Sequence, residues 1–158
     1  RTFENLKIGT LDLSYNLIIE IDNLTFYGLW VDSLYLTSNN LSKINPDTFS
    51  NVTITESLDL SYNRLTKLDN NSFVGLYELA IINLSYNKIS TIASGAFNGM
   101  ANVVTIYLDG NNLTRLDSSI FAGLSRLRFI YLRNNTNLQT TNLQSLCQAA
   151  AENCIVEF

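Results

Sequence analysis

Phenylalanine returns along this chain at Phe3, Phe26, Phe49, Phe73, Phe97 and Phe121, and asparagine keeps the same step at Asn16, Asn39, Asn63, Asn87, Asn111 and Asn135. The spacing is 23 or 24 residues throughout. A unit of that size cannot bury an apolar face alone; it does so by stacking on copies of itself. The period therefore predicts a solenoid. It also narrows function, because stacked units build a long concave surface and seldom a catalytic pocket.

Aligned on their asparagines, the copies read IGTLDLSYNLI from Ile8, VDSLYLTSNNL from Val31, TESLDLSYNRL from Thr55, LAIINLSYNKI from Leu79, VVTIYLDGNNL from Val103 and LRFIYLRNNTN from Leu127. The shared pattern is L-x-x-L-x-L-x-x-N-x-L, followed by a second half that ends near F-x-x-L. Alternation at pairs such as Leu34/Leu36, Leu58/Leu60 and Ile82/Leu84 predicts a short strand with one buried face. Equivalent strands should pair in parallel, with the second half of each repeat as the crossover. The asparagine amide can satisfy backbone groups where the chain turns inward. The phenylalanines should stack as a second apolar column, extended by Leu29, Leu76, Met100 and Leu124.

With this pattern held in register over about residues 3–135, the chain resembles the extracellular leucine-rich repeat family in its typical 24-residue subclass. It is similar to Toll-type receptor ectodomains and to secreted insect immune leucine-rich repeat proteins. The resemblance implies an α/β, leucine-rich repeat solenoid: a curved horseshoe with a parallel concave sheet and a C-terminal cap. It also implies protein or microbial surface ligands. The expected organisation is one domain, with residues 1–7 the end of an earlier repeat, residues 8–135 six copies, and residues 136–158 the cap.

The sixth copy loses the pattern after Asn135, and Thr140 stands where a core leucine is expected. The segment after it reads as a helical cap, starting at Thr141 or Asn142 and carried by Leu143, Leu146 and the run Ala149–Ala151. Cys147 and Cys154 would have Cα atoms about 10 Å apart in an unbroken helix, too far for a disulfide. If they pair, the helix ends near Glu152–Asn153 and the chain folds back. Two readings stay open: a disulfide in an oxidised extracellular domain, or two buried thiols. The family's usual C-terminal module has four cysteines, and this chain departs from it. At the other end Arg1 leads straight into repeat sequence, which reads as a mature or excised fragment. Leu6 and Ile8 then form an edge open to homo- or hetero-association.

Residues between the buried strand positions should face outward. Two columns of tyrosine stand out: Tyr15, Tyr62 and Tyr86, and then Tyr35, Tyr107 and Tyr131. Tyrosine offers large contact area at low entropic cost. Asp12, Asp32, Glu56 and Asp59 come early and Arg128 and Arg133 late, with Asn83 and Asp109 between, so a partner could read orientation from charge. These positions form the candidate partner-binding surface. Cross-strand tyrosines also stabilise sheets without any ligand. Of seven Asn-x-Ser/Thr sequons, Asn23, Asn51 and Asn70 fall in the outer half of their repeats and are the candidate glycosylation sites. A glycan on Asn83 would obstruct the concave sheet.

Several chemistries are disfavoured. The chain has no histidine, so His-based triads and His-ligated metal sites cannot be built. No phosphate-binding glycine motif is present. Asp12 and Asp59 should stand about 10 Å apart, two strand spacings, with no pocket to raise either pKa. Neither enzyme activity, a cofactor nor a metal is expected. A net charge of −4 argues against nucleic acid and against an anionic membrane surface. No apolar run approaches the roughly 20 residues of a membrane span. The expected function is extracellular, secreted or ectodomain recognition in innate immunity. The alternative is an adhesion protein that self-associates through its edges.

Overall fold

A computed structural model describes residues 2–139, 145–146 and 154–158 of the chain. Among them run nine strands: β1 (Lys7–Asp12), β2 (Trp30–Tyr35), β3 (Thr53–Asp59), β4 (Lys67–Leu68), β5 (Ile81–Asn83), β6 (Thr91–Ile92), β7 (Thr105–Tyr107), β8 (Phe129–Tyr131) and β9 (Ile155–Glu157). Seven of them form one parallel sheet in the order β1-β2-β3-β5-β7-β8-β9, and β4 pairs with β6 on the outer side. Each turn of the solenoid thus contributes one rung, as the alternating leucines require. The crossovers descend through turns, with one 3-10 segment at Ser118–Phe121 whose N-cap Asp117 accepts from the Ser119 N–H.

Two ladders hold the turns together. Phe3, Phe26, Phe49, Phe73, Phe97 and Phe121 stack in sequence with ring centroids 5.8 to 6.3 Å apart. The asparagines form the second. The amide nitrogen of Asn63 donates to the carbonyls of Leu36 (2.9 Å) and Leu60 (3.1 Å), and its oxygen accepts from the Leu41 N–H at 3.0 Å. Asn39, Asn87, Asn111 and Asn135 repeat the arrangement one turn apart. One side chain therefore satisfies three buried backbone groups on two turns. Asn16, on the first turn, is exposed and bonds only locally, to the Leu13 and Ser14 carbonyls.

The register departs from the sequence expectation at one place. Val31 pairs with Ile54, not Thr55, while Ser33 pairs with Ser57. One extra residue is absorbed in β3 as a bulge, because the turn before it is one residue shorter than those after. Ile54 takes the buried position, and the Thr55 hydroxyl donates to Asp32 at 2.8 Å.

At the C-terminal end, Ser145 and Leu146 are helical and Leu146 is buried. The rest of the expected helix, with Thr140, Cys147 and the alanine run, lies outside the described residues. β9 is an element the repeat pattern did not announce. It adds a parallel rung against β8, pairing Phe129 with Ile155, Ile130 with Val156 and Tyr131 with Glu157. At the β1 end the apolar side chains are poorly covered: Leu17 is 83% and Ile19 69% exposed.

Candidate functional site

The concave face is built from side chains that alternate with the core leucines. Cross-strand register lines up two columns. The first is Thr10, Ser33, Ser57, Ile81, Thr105, Phe129 and Ile155. The second is Asp12, Tyr35, Asp59, Asn83, Tyr107, Tyr131 and Glu157. Both change character along the solenoid. Over β1–β3 they carry hydroxyls and carboxylates, with Tyr35 the one aromatic; from β5 onward Ile81, Tyr107, Phe129, Tyr131 and Ile155 enter, with Asn83, Thr105 and Glu157 between them.

The polar half is internally bonded. Asp59 accepts from the Ser61 N–H (2.8 Å) and hydroxyl (2.6 Å) and from the Asn83 amide (3.2 Å). The Ser14 hydroxyl and then its N–H, at 2.9 Å, hydrogen-bond to Asp12 and lower its pKa, although the carboxylate is exposed. Ser57 donates to Ser33, and Ser33 reaches Glu56. Asp12, Asp32, Glu56 and Asp59 thus give this half its acidic character, each held by a short bond or on an exposed position.

In the apolar half Tyr107 and Tyr131 stack at 4.6 Å with rings 8° from parallel, and Phe129 lies 6.3 Å from Tyr131. Burial and the neighbouring Tyr131, Asp109 and Glu157 raise the Tyr107 pKa, so the phenol stays neutral. Ile81 is 38% exposed and Ile155 52%. Phe129, Ile155 and Glu157 were not singled out from sequence. The alternation Ile155–Val156–Glu157 was the available signal, too short to separate from a loop.

Tyr15, Tyr62 and Tyr86 stand elsewhere than expected. They follow the strands rather than sitting on them, each with φ between 54 and 56°. They rim the sheet at the turn, where Tyr62 and Tyr86 stack at 4.6 Å. Gly110 occupies the next step of this column; a Cβ there would lie 2.5 Å from the Tyr86 ring. Tyr15 is separated from Tyr62 by Ser38 and is 83% exposed.

The late positive charge is also altered. Arg133 pairs with Glu157, and its N–H donates to Asp109 at 2.7 Å. Arg133 is therefore locally neutralised, whereas Arg128 projects into solvent. Burial pushes the Asp109 carboxyl above its ordinary value, partly opposed by Arg133. Of the sequons, Asn23, Asn51 and Asn70 are exposed on the outer half, while Asn83 is half-buried on the concave sheet and bonded to Asp59 and the Ser85 N–H. Cys154 packs half-buried against the core; Cys147 lies outside the described residues. No helix among the described residues is long and apolar enough to cross a membrane.

Comparison with known proteins agrees with this architecture. A leucine rich repeat family model matches residues 30–89, 55–113 and 78–136, together more than half of the chain. Among solved structures, the TLR13–ssRNA13 complex superposes with a TM-score of 0.72 at 27% identity, covering 87% of this chain and 22% of that one. The leucine-rich repeat domain of APL1B superposes at 0.65 and 25% identity, covering 78% of this chain and 37% of its own. A Leptospira interrogans leucine-rich repeat protein at 0.71 and 23% identity, covering 95% and 37%, shares the fold. This chain thus spans well under half the length of these neighbours. No curated protein matches it closely. On the strength of its repeats, its ladders and the matched family model, the chain belongs to the leucine-rich repeat family.

Proposed function

We propose that the chain is a non-enzymatic extracellular recognition module that binds a protein or microbial surface ligand on its concave face. The observation that carries this is the patch of half-buried Tyr107, Phe129 and Tyr131 flanked by exposed Ile81 and Ile155, beside an acidic half, on a sheet rigidified by two internal ladders. Aromatic centres with a polar surround are the usual anatomy of an interface. A rigid platform also spares a partner the cost of ordering it. The resemblance to Toll-type ectodomains supports a setting in innate immunity. TLR13 was solved with a single-stranded RNA; here Asp12, Asp32, Glu56 and Asp59 work against a phosphate backbone. An extracellular chain would carry a Cys147–Cys154 disulfide and glycans at Asn23, Asn51 and Asn70. Thiol titration in denaturant should then find no free thiol.

The decisive test replaces Tyr107, Tyr131 and Ile155 by alanine. Partner capture from native fluid should fall while the far-ultraviolet circular dichroism stays that of the parent. Unchanged capture removes the concave reading.

A second reading, association through the outer edge of β1, is favoured by the exposure of Leu17, Ile19 and Leu24 on that turn. Light scattering over a range of concentrations tests it, a constant mass counting against it.

A further inference from the structure

On the flank of the solenoid Lys7, Trp30 and Thr53 open β1, β2 and β3 and pair in register, and Tyr77, in the turn before β5, lines the same cleft as Trp30 and Thr53. The small Thr53 between two large aromatics leaves a cleft of about 420 Å³, lined also by Ile54, Thr55, Gly75 and Glu78. Trp30 and Tyr77 stand two turns apart, about 10 Å by strand spacing. That leaves space between them for one ring of ordinary thickness. Both walls are backed. The Lys7 ammonium sits 3.8 Å from the centroid of the Trp30 ring, and Lys7 belongs to β1, on the side away from Thr53. Tyr77 leans over Gly99, whose missing side chain would come within 3.1 Å of the ring. Trp30 is 46% and Tyr77 56% exposed, so the aromatic surface is open.

The occupant must suit this chemistry. A cation is disfavoured, because Lys7 already places a positive charge on the Trp30 ring. A neutral ring with an apolar face and hydroxyl edges fits the aromatic walls together with the acceptors of Glu78 and Thr55. A pyranose is such a ring, and the sequence supplies one at the cleft's margin. Asn51 and Thr53 are the first and third residues of a sequon, and Thr53 lines the cleft. Asn51 is exposed in the turn that leads into β3, two residues before Thr53, with its amide donating to the Ser50 hydroxyl at 2.9 Å. We propose that the cleft seats the first sugar of a glycan on Asn51, between Trp30 and Tyr77. This rests on the extracellular reading given above, since only a chain that passes through the secretory route is so modified.

Trp30 is the sole tryptophan, so its emission reports on this cleft alone. The protein is secreted from eukaryotic cells and occupancy of each sequon is read by mass spectrometry. Trimming with an endoglycosidase that leaves one sugar should not change Trp30 emission or acrylamide quenching. Complete removal should shift emission to the red and raise quenching. Asn51→Gln should reproduce the second result, and Asn23→Gln and Asn70→Gln the first. An unoccupied Asn51 beside occupied Asn23 or Asn70, or quenching indifferent to complete removal, overturns the seat while leaving the extracellular reading intact. A chain with every sequon empty removes the extracellular premise, and the seat with it.

Discussion

Once per turn, at Tyr15, Ser38, Tyr62, Tyr86, Gly110 and Asn134, the backbone enters the left-handed region with φ of 54 to 62°. At each of the first five the N–H donates to a carbonyl of the next rung, as Tyr62 does to Ser85 at 3.0 Å and Tyr86 to Asp109 at 2.7 Å. A tyrosine pays about 1–2 kcal/mol for that conformation, which the inter-rung bond and ring stacking offset. Gly110→Ala would add the same strain and drive a methyl into the Tyr86 ring. It should destabilise by roughly 2–4 kcal/mol, and Tyr86→Ala in the same chain should recover part of the loss in a double-mutant cycle read by urea denaturation. Tyrosine hid this conformation in the sequence; Gly110 and Asn134 at the same step were the legible hints. The asparagine ladder was readable because only a carboxamide offers that donor and acceptor set, and asparagine carries it on the shorter stem. Asn87→Ala orphans the Leu65 N–H and leaves the Leu60 and Leu84 carbonyls short of a donor. It should cost about 3 kcal/mol or more, against under about 1 kcal/mol for Asn16→Ala, whose contacts are exposed. Asp109 sets a pH dependence. Its folded pKa is raised, so the folded state binds the proton more tightly. That stability is full below the ordinary value of 3.8 and is lost as pH rises through the raised one. Asp109→Asn keeps an acceptor for the Arg133 N–H and should gain on the parent, in thermal midpoint, between about pH 3 and about pH 7.

Among elements, β9 decides how the late edge of the sheet ends. Its Ile155 N–H donates to the Arg128 carbonyl at 2.7 Å, and the Leu132 N–H donates to the Glu157 carbonyl at 2.7 Å. Ile155→Pro deletes the first of these. Amide exchange in β8 should then quicken while β2 and β3 stay protected, because each turn contacts only its neighbours. Equal acceleration across the sheet would contradict a nearest-neighbour solenoid. The strands β1, β2, β3, β5, β7 and β8 were legible because each carries the alternating leucine pattern. β9 has the alternation for three residues and no asparagine after it, so its pairing is a tertiary choice made by the Ile130 rung. For the same reason Arg133 read as a free charge: its partner Glu157 belongs to an element without a signature.

At the scale of the molecule, buried Phe49, Phe73 and Phe97 mark the middle of a one-dimensional array. Phe73→Ala should cost about 3–5 kcal/mol. It should also lower the urea m-value, since a cavity between neighbouring turns weakens the coupling that makes the two halves unfold together. Fold and scaffold were thus open to sequence reasoning, whereas the division of the concave face into acidic and aromatic halves required the rungs to be placed side by side. One irregularity has a practical edge. From β3 to β8, starting at Ser57, every rung meets its neighbour in the same 24-residue phase, while between Val31 and Ser33 that phase slips by one. An engineer could copy a unit downstream of the slip and lengthen the arc with each leucine still pointing inward. A splice carried through Thr55 without its spare residue would invert inside and outside for the rung that follows.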